Sequence, residues 1–234
     1  MGGFLLSLAL VASQGANVDW QNVGNDKGGM RYSTLSQINR NTVKQLKPAW
    51  TYHTGDAEKA GTTIECTPIV IDGVMYITTV KLKVVALNAA TGKPIWDYDT
   101  KAKGVNRGVA YWSNGSKKRI IAATPDGKMV SLDAKTGERD ASFGNNGIVE
   151  LRDGIERDIS SQQYGSTSAP AIFENLIIVP IICSEGQPGA PGDIRAFDVE
   201  TGKPVWRFRT VPQPGEFGNE TWTNGGWKDR SGTN

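Results

Sequence analysis

Short stretches of alternating apolar and polar residues recur along the chain, separated by glycine-containing turns. Three of these stretches are near-copies of one another, each passing through an Asx-x-x-Thr-Gly turn: residues 85–96, 130–138 and 195–206. Alternation with a period of two is typical of half-buried β-strands. In the first and third copies the strand after the turn carries a tryptophan, Trp96 and Trp206. A hairpin repeated in this way predicts an array of similar sheets rather than a single core.

The segments around each copy predict four-stranded antiparallel units. The strands expected in the first unit are 67–71, 74–79, 84–88 and 95–98. Those expected in the second unit are 109–112, 119–124 and 129–133, and those in the third are 168–172, 176–179, 194–198 and 205–208. The turn residues Asn88 and Asp133 are spaced like successive propeller blades, about 45 residues apart. The longer interval before Asp198 contains a polar insertion, 145–163, which we expect to form a loop.

The predicted fold class is therefore all-β: a partial β-propeller of about three four-stranded antiparallel blades. Residues 47–52 end in the same tryptophan pattern and predict an orphan fourth strand before the first unit. Propeller rings need at least about four blades, and stacked repeats stabilise one another only as neighbours. We therefore expect the chain to be an N-terminal fragment of a longer protein. The competing interpretation is that the open blades pack against another molecule.

Residues 1–16 contain an apolar run, 4–11. This run is too short to span a bilayer and suits the core of a signal peptide. Because no basic residue precedes the run, the end of a longer membrane anchor is the alternative interpretation. In either case we expect the folded domain to occupy residues 17–234.

The composition argues against some classes of binding partner. The formal net charge is only +2, so no strong field favours nucleic acid or a membrane surface as a partner. The two cysteines, Cys66 and Cys183, are far apart in sequence and do not form a metal-binding motif. A single disulfide between them is possible, but two small buried residues are the favoured interpretation.

The repeat Ala-Leu-Asx-Ala-x-Thr-Gly-Lys-x-x-Trp resembles the tryptophan-docking blades of pyrroloquinoline quinone (PQQ) dehydrogenases. Further segments are similar to that family in the same order: 19–25, 31–39, 64–68, 106–112, 124–127 and 212–222. The resemblance runs from about residue 18 to the end of the chain. It implies the N-terminal part of a propeller that has eight blades in typical family members.

The resemblance also implies a cofactor site. It assigns contacts with PQQ to Glu65, Arg107, Thr124 and Thr233. A guanidinium suits the cofactor carboxylates because it is always charged and makes paired hydrogen bonds. The alternatives are a surface turn carboxylate for Glu65, a rim ion pair for Arg107 and an ordinary strand residue for Thr124.

Two departures from the family pattern refine this expectation. Residues 100–105, just before Asn106-Arg107-Gly108, lack the adjacent cysteines of the methanol and alcohol dehydrogenases. This absence points to the branch resembling membrane-bound glucose and quinate dehydrogenases. In the loop 183–192, Glu185 is the only carboxylate and becomes the candidate ligand for the calcium ion that the family uses. The family's catalytic aspartate is expected to lie beyond this chain.

The resemblance implies a quinoprotein dehydrogenase that oxidises a sugar or alcohol with PQQ and calcium. Electrons would pass to a membrane quinone or a cytochrome, in a protein that is periplasmic, secreted or attached to the outer side of the inner membrane. We expect the chain alone to be inactive, because the catalytic base and most of the surface on which the cofactor lies would be missing. The alternative function is a non-catalytic propeller that acts as a binding or assembly scaffold.

Overall fold

The computed structural model describes residues 18–57 and 63–232. The predicted signal peptide or anchor, 1–16, and the predicted cofactor ligand Thr233 lie outside these residues. Within them the regular structure is almost entirely β-strand, and no α-helix is present. No helix in these ranges is therefore long and apolar enough to cross a bilayer.

The strands form three four-stranded antiparallel sheets, which we call blades 1 to 3, and one two-stranded sheet. Blade 1 contains β1 (Ile69–Ile71), β2 (Val74–Thr78), β3 (Lys83–Asn88) and β4 (Pro94–Asp99). Blade 2 contains β5 (Ala110–Ser113), β6 (Lys118–Ala123), β7 (Lys128–Asp133) and β8 (Ile148–Glu150). The remaining strands are β9 (Tyr164–Gly165), β10 (Ala171–Phe173), β11 (Leu176–Val179), β12 (Ile182–Cys183), β13 (Ile194–Asp198) and β14 (Pro204–Phe208). Blade 3 has the order β10-β11-β13-β14, and β9 pairs with β12.

The fold class predicted from the repeats is confirmed. Short 3-10 turns occupy Val43–Gln45, Asn219–Thr221 and Thr223–Gly225. The middle strands of each blade are the most buried: Val84, Val85, Ala86 and Leu87 of β3 are each at most 1% exposed. Val84 and Ala86 pack in the apolar cluster that blade 1 shares with blade 2, whereas Val85 and Leu87 lie on the opposite face of the strand.

Two apolar clusters join the blades. One contains residues of blades 1 and 2, including Ile69, Val84 and Ile120, and the other contains residues of blades 2 and 3, including Met129 and Phe197. These clusters hold the three sheets in a stack, as the stabilisation of repeats by their neighbours requires.

Two local expectations differ from the structure. Residues 148–150 lie within the predicted loop but form β8, the fourth strand of blade 2, with Ile148 opposite Val130. This strand is only three residues long inside a polar segment, so its alternation is too short to detect. Residues 47–52 are not a strand, although Trp50 packs on blade 1 and donates from Nε1 to the carbonyl oxygen of Ala89 at 3.0 Å.

We call the first strand of each blade (β1, β5 and β10) its inner strand. The segment that precedes the blades contacts two of these strands. Trp20 and Val70 exchange two backbone hydrogen bonds of 2.8 Å, which extend the free edge of β1. The ammonium of Lys27 lies 5.9 Å from the ring centre of Phe173 on β10. This segment therefore contacts the inner strands of both blade 1 and blade 3.

Candidate functional site

The residues that lead into the inner strands of the three blades are hydrogen-bonded to one another. The amide of Thr67, before β1, donates to the carbonyl of Arg107 at 3.1 Å, and the amide of Arg107, before β5, donates to the carbonyl of Thr167 at 2.7 Å. Thr167 precedes β10. The starts of β1, β5 and β10 are thereby brought together at one end of the blades.

The side chain of Arg107 joins residues from all three blades. Its Nη2 atom lies 3.1 Å from Oε2 of Glu65, and its Nη1 atom donates to Oγ1 of Thr167 at 2.8 Å. The Arg107 side chain is 52% exposed and that of Glu65 is 37% exposed. We call Glu65, Arg107 and Thr167 the arginine cluster. Glu65 and Thr167 hold its guanidinium through different nitrogen atoms, and about half of the Arg107 side chain remains accessible to a ligand.

The turn that carries Arg107 is fixed by its neighbours. The buried side chain of Asn106 donates to the carbonyl of Ala123 at 2.8 Å and accepts from the amide of Gly108 at 2.8 Å. Gly108 has φ +132°, and a Cβ at this position would lie only 3.0 Å from the carbonyl oxygen of Thr67. The Asn-Arg-Gly sequence therefore lets the backbone of blade 2 approach that of blade 1 closely.

Thr167 is a candidate site residue that the sequence analysis missed. A signal for it existed, because Gly165-Ser166-Thr167 precedes β10 much as Asn106-Arg107-Gly108 precedes β5. Alignment of the repeats on their inner strands, rather than on the Thr-Gly turns, would have brought out this position.

The predicted cofactor ligand Thr124 has its hydroxyl engaged in its own hairpin. The side chain is 3% exposed, and Oγ1 donates to Oδ1 of Asp126 at 2.5 Å and lies 3.1 Å from the carbonyl of Lys128. The carbonyl of Thr124 accepts from the amide of Ser166 at 2.9 Å. The structure thus places Thr124 beside the backbone of the arginine cluster, and its hydroxyl as a cofactor donor stays a prediction.

Glu185 lies in a separate cleft of about 460 Å³. The cleft is lined by Cys183, Ser184, Glu185, Gly186, Gln187, Trp222, Arg230, Ser231 and Gly232. Glu185 is the one carboxylate among these residues. Across the described ranges, no group of three or more His, Cys, Asp or Glu side chains could hold a metal ion. Glu185 is therefore the one carboxylate that this cleft offers to a calcium ion, whose other ligands would be carbonyl, amide or water oxygens or residues from elsewhere.

Cys66 and Cys183 are not joined in a disulfide. Burial raises the pKa of both thiols. Cys66, next to Glu65, accepts a hydrogen bond at its sulfur from the amide of Thr78 at 3.1 Å. Both residues thus occupy sites that favour the neutral thiol.

Comparison with known proteins identifies the family. The model of the PQQ family described as "Glucose/ethanol/alcohol dehydrogenase, beta-propeller domain" matches residues 20–234. The chain belongs to this family of PQQ β-propeller domains, and the resemblance drawn from its motifs is confirmed.

Relatives include enzymes for different substrates. The chain is 42% identical over 206 residues to the dehydrogenase subunit of the quinone alcohol dehydrogenase of Gluconacetobacter polyoxogenes, covering 84% of this chain and 26% of that protein. It is 35% identical over 232 residues to the quinoprotein glucose dehydrogenase of Gluconobacter oxydans, covering 87% of this chain and 29% of that protein. The chain thus spans little more than a quarter of the length of these relatives.

A solved structure shows the same fold. The quinohemoprotein alcohol dehydrogenase from Comamonas testosteroni superposes with a TM-score of 0.70 and 32% identity, covering 85% of this chain and 28% of that chain. The stacked four-stranded sheets described above are therefore propeller blades of the PQQ dehydrogenase type.

Proposed function

We propose that this chain supplies part of the PQQ site of a quinoprotein dehydrogenase that oxidises a sugar or alcohol. The proposal is supported by membership of the PQQ family and by relatives named for alcohol and glucose. The observation that carries it is the arginine cluster, in which Glu65, Arg107 and Thr167 from three blades meet.

The chemistry of the cluster fits an anionic, planar ligand. PQQ is a flat quinone that carries three carboxylates. Arg107 keeps its charge at any physiological pH and has a planar set of N–H donors that match a carboxylate in pairs. Glu65 is a poor direct partner for an anion, so in this proposal it fixes the orientation of the guanidinium. Thr167 holds the opposite side of Arg107 and has a hydroxyl that can also turn toward a ligand.

PQQ, when bound, supplies the quinone that accepts hydride from the substrate. The residues of this chain bind and orient the cofactor through the arginine cluster. No residue here is proposed as the catalytic base. The acid–base step is expected from the resemblance to depend on an aspartate outside this sequence.

The proposal also covers the domain, the metal ligand, the cellular location and the electron acceptor. We propose that residues 17–234 form part of a PQQ-binding propeller and that Glu185 provides one ligand to calcium. We further propose a periplasmic, secreted or outer-face location and electron transfer to a membrane quinone or a cytochrome. The apolar run 4–11 supports the location, and the description of the alcohol dehydrogenase relative as a quinone enzyme supports the acceptor.

Titration with PQQ tests the proposal. The protein would be expressed from its complete reading frame and titrated with PQQ in the presence and absence of calcium, with tryptophan fluorescence as the signal. We expect saturable binding, weakened roughly tenfold or more by Arg107→Met, because a hydrogen bond to a charged group contributes about 1.5–3 kcal/mol. The matched control is Arg139→Met, which removes an exposed arginine of blade 2 away from the cluster.

Two results would contradict the proposal. Absence of saturable binding by the unmodified protein would favour the scaffold function instead. Equal PQQ affinity in Arg107→Met and Arg139→Met would remove the arginine cluster from the site.

A further inference from the structure

Arg157 connects three separate parts of the chain. It lies in the segment between β8 and β9, and its guanidinium donates to the carbonyl oxygens of Lys228, Gly189 and Arg230, the last at 2.8 Å. Its Nε atom is buried without a hydrogen-bond partner in the described residues. The Nη atoms therefore make all of the hydrogen bonds described for this side chain.

The three carbonyls belong to two loops that are also bonded to each other. We call these the paired loops, 184–192 and 226–232. The amide of Gly189 donates to the carbonyl of Asp229 at 2.8 Å, and the amide of Gly192 donates to that of Ser231 at 2.6 Å. The hydroxyl of Ser231 donates to the carbonyl of Ser184 at 2.9 Å. These hydrogen bonds join the two loops into one unit, and the side chain of Arg157 stabilises this unit by binding its carbonyls.

The paired loops line most of the cleft that contains Glu185. The same cleft is connected to the arginine cluster through the backbone. Its wall begins at Cys183 of β12, which pairs with Tyr164 of β9, and β9 leads directly into Thr167. Because Glu185 lies within the paired loops, a shift of these loops would change its position relative to β9 and to Thr167, which follows β9.

An arginine is suited to this place for a physical reason. Three carbonyl oxygens that converge repel one another unless donors lie between them, and the carbonyl of Gly189, which is buried, would be costly to leave without a donor. The guanidinium supplies donors in a fixed plane, whereas a lysine ammonium is a compact charge on a flexible stem. Lysine at residue 157 would keep the charge but lose the spacing.

We propose that Arg157 is a positioning residue of the PQQ site, which sets the spacing of the paired loops without touching the cofactor. The inference rests on the proposed function, since it concerns the same site. Within it, Arg157 acts on Glu185 through the paired loops.

The test compares two arginines that each donate to backbone carbonyls, Arg157 to those of the paired loops and Arg195 to those of the segment between β8 and β9. Arg195 is more buried than Arg157 and donates to the carbonyls of Leu151 and Asp153, and none of its described hydrogen bonds reaches the paired loops. Arg157→Lys and Arg195→Lys would be made in the protein expressed from its complete reading frame. PQQ affinity, apo melting temperature and amide hydrogen exchange of 184–192 and 226–232 would be measured for each.

Arg157→Lys is expected to weaken PQQ binding about tenfold, the low end of what loss of an outer-shell partner costs a metal or cofactor site. It should also speed hydrogen exchange in the paired loops before any cofactor is added. Arg195→Lys should lower the apo melting temperature at least as much as Arg157→Lys does. It should nevertheless change PQQ affinity less than about twofold and leave hydrogen exchange of the paired loops unchanged. In Arg157→Ala, added guanidinium ion should restore part of the lost affinity.

The outcomes separate this inference from the function on which it rests. Unmodified protein that binds no PQQ would overturn the proposed function and this inference with it. Binding by the unmodified protein, with equal affinities in the two lysine variants or unchanged exchange of the paired loops in Arg157→Lys, would overturn this inference alone.

Discussion

The junction between blades 1 and 2 differs from the junction between blades 2 and 3. In the first, Trp96 of β4 lies over Gly137 of blade 2 and donates from Nε1 to the carbonyl of Ala134 at 3.1 Å. In the second, the corresponding carbonyl, that of Val199, accepts instead from the guanidinium of Arg119. A tryptophan provides the donor in one case and a buried arginine in the other.

The side chains that pack over the glycine of the Thr-Gly turn also differ between the two junctions. A side chain at Gly137 would collide with the ring of Trp96, whereas one at Gly202 would meet Val149 of β8 and Phe143. Both glycines have positive φ, +74° and +72°, as the Thr-Gly turn requires. In the second junction the apolar cover and the donor therefore come from different side chains.

Arg119 brings a charge into the core, and the structure compensates for it. It is 1% exposed, forms an ion pair with Asp140 and lies 5.6 Å from the ring centre of Trp112. The difference between the junctions teaches that the turn carbonyl must have a donor when it is buried. The kind of side chain that provides it is free to vary.

The largest effect is expected from Arg119→Met. This change leaves Asp140 without its cation and the carbonyl of Val199 without a donor. Breaking a buried pair from one side costs about 3 kcal/mol or more, so the free energy of unfolding measured with urea should fall by about that amount. The exposed Arg139→Met is the control. A loss below about 1 kcal/mol for Arg119→Met would contradict the claim that the second junction depends on a donor to the carbonyl of Val199.

A smaller effect is expected from Trp96→Phe, which keeps an aromatic cover but removes the Nε1 donor. A buried carbonyl left unsatisfied costs about 1–3 kcal/mol, and because Trp96 is only partly buried we expect about 1.5 kcal/mol. Trp50→Phe is the matched variant, since Trp50 makes the same contacts with Ala89 and Gly92. Losses in urea unfolding that differ by more than about 1 kcal/mol would contradict the equivalence of these two contacts.

The smallest effect is expected on the pH dependence of stability, through the carboxyl group of Asp140. Partial burial of Asp140 opposes its ionisation, but hydrogen bonds from Ser142 and the guanidinium of Arg119 together hold the pKa of Asp140 below its usual range. A carboxyl with a lower pKa in the folded state stabilises the protein fully above its unfolded pKa, and this stabilisation disappears as the pH falls through the folded pKa.

The advantage of the unmodified protein over Asp140→Asn should therefore shrink as the pH is lowered from about 6 to about 3, within the range where Asp side chains titrate. Melting temperatures of both proteins over this range would measure it. The same difference at every pH would show that the ionisation of Asp140 does not contribute to the second junction.

The sequence was sufficient for the blades because their signal is local. The Thr-Gly turns and the alternating strands β1 to β3 and β5 to β7 are read from neighbouring residues. β8 was missed since it has only two apolar residues in a polar segment. The replacement of tryptophan by Arg119 could not be read either, because its acceptor at Val199 is 80 residues away.

In the candidate site, too, local motifs were predictable from the sequence and long-range contacts were not. Glu65 and Arg107 were found from motifs that resemble a family, and the structure places them 3.1 Å apart. The motifs do not single out Thr167, since a threonine before a strand is common. Alignment of the repeats on their inner strands points to the position, and the contact with Arg107 across 60 residues shows its partner. Long-range pairing of polar side chains is the part of the site that sequence pattern alone does not contain.

The central claim is that the arginine cluster binds PQQ, and a structure of the PQQ complex tests it most directly. We predict a carboxylate of the cofactor within hydrogen-bonding distance of the Arg107 guanidinium, with the ion pair to Glu65 retained. Cofactor bound elsewhere, with Arg107 contacting only Glu65 and Thr167, would contradict the account.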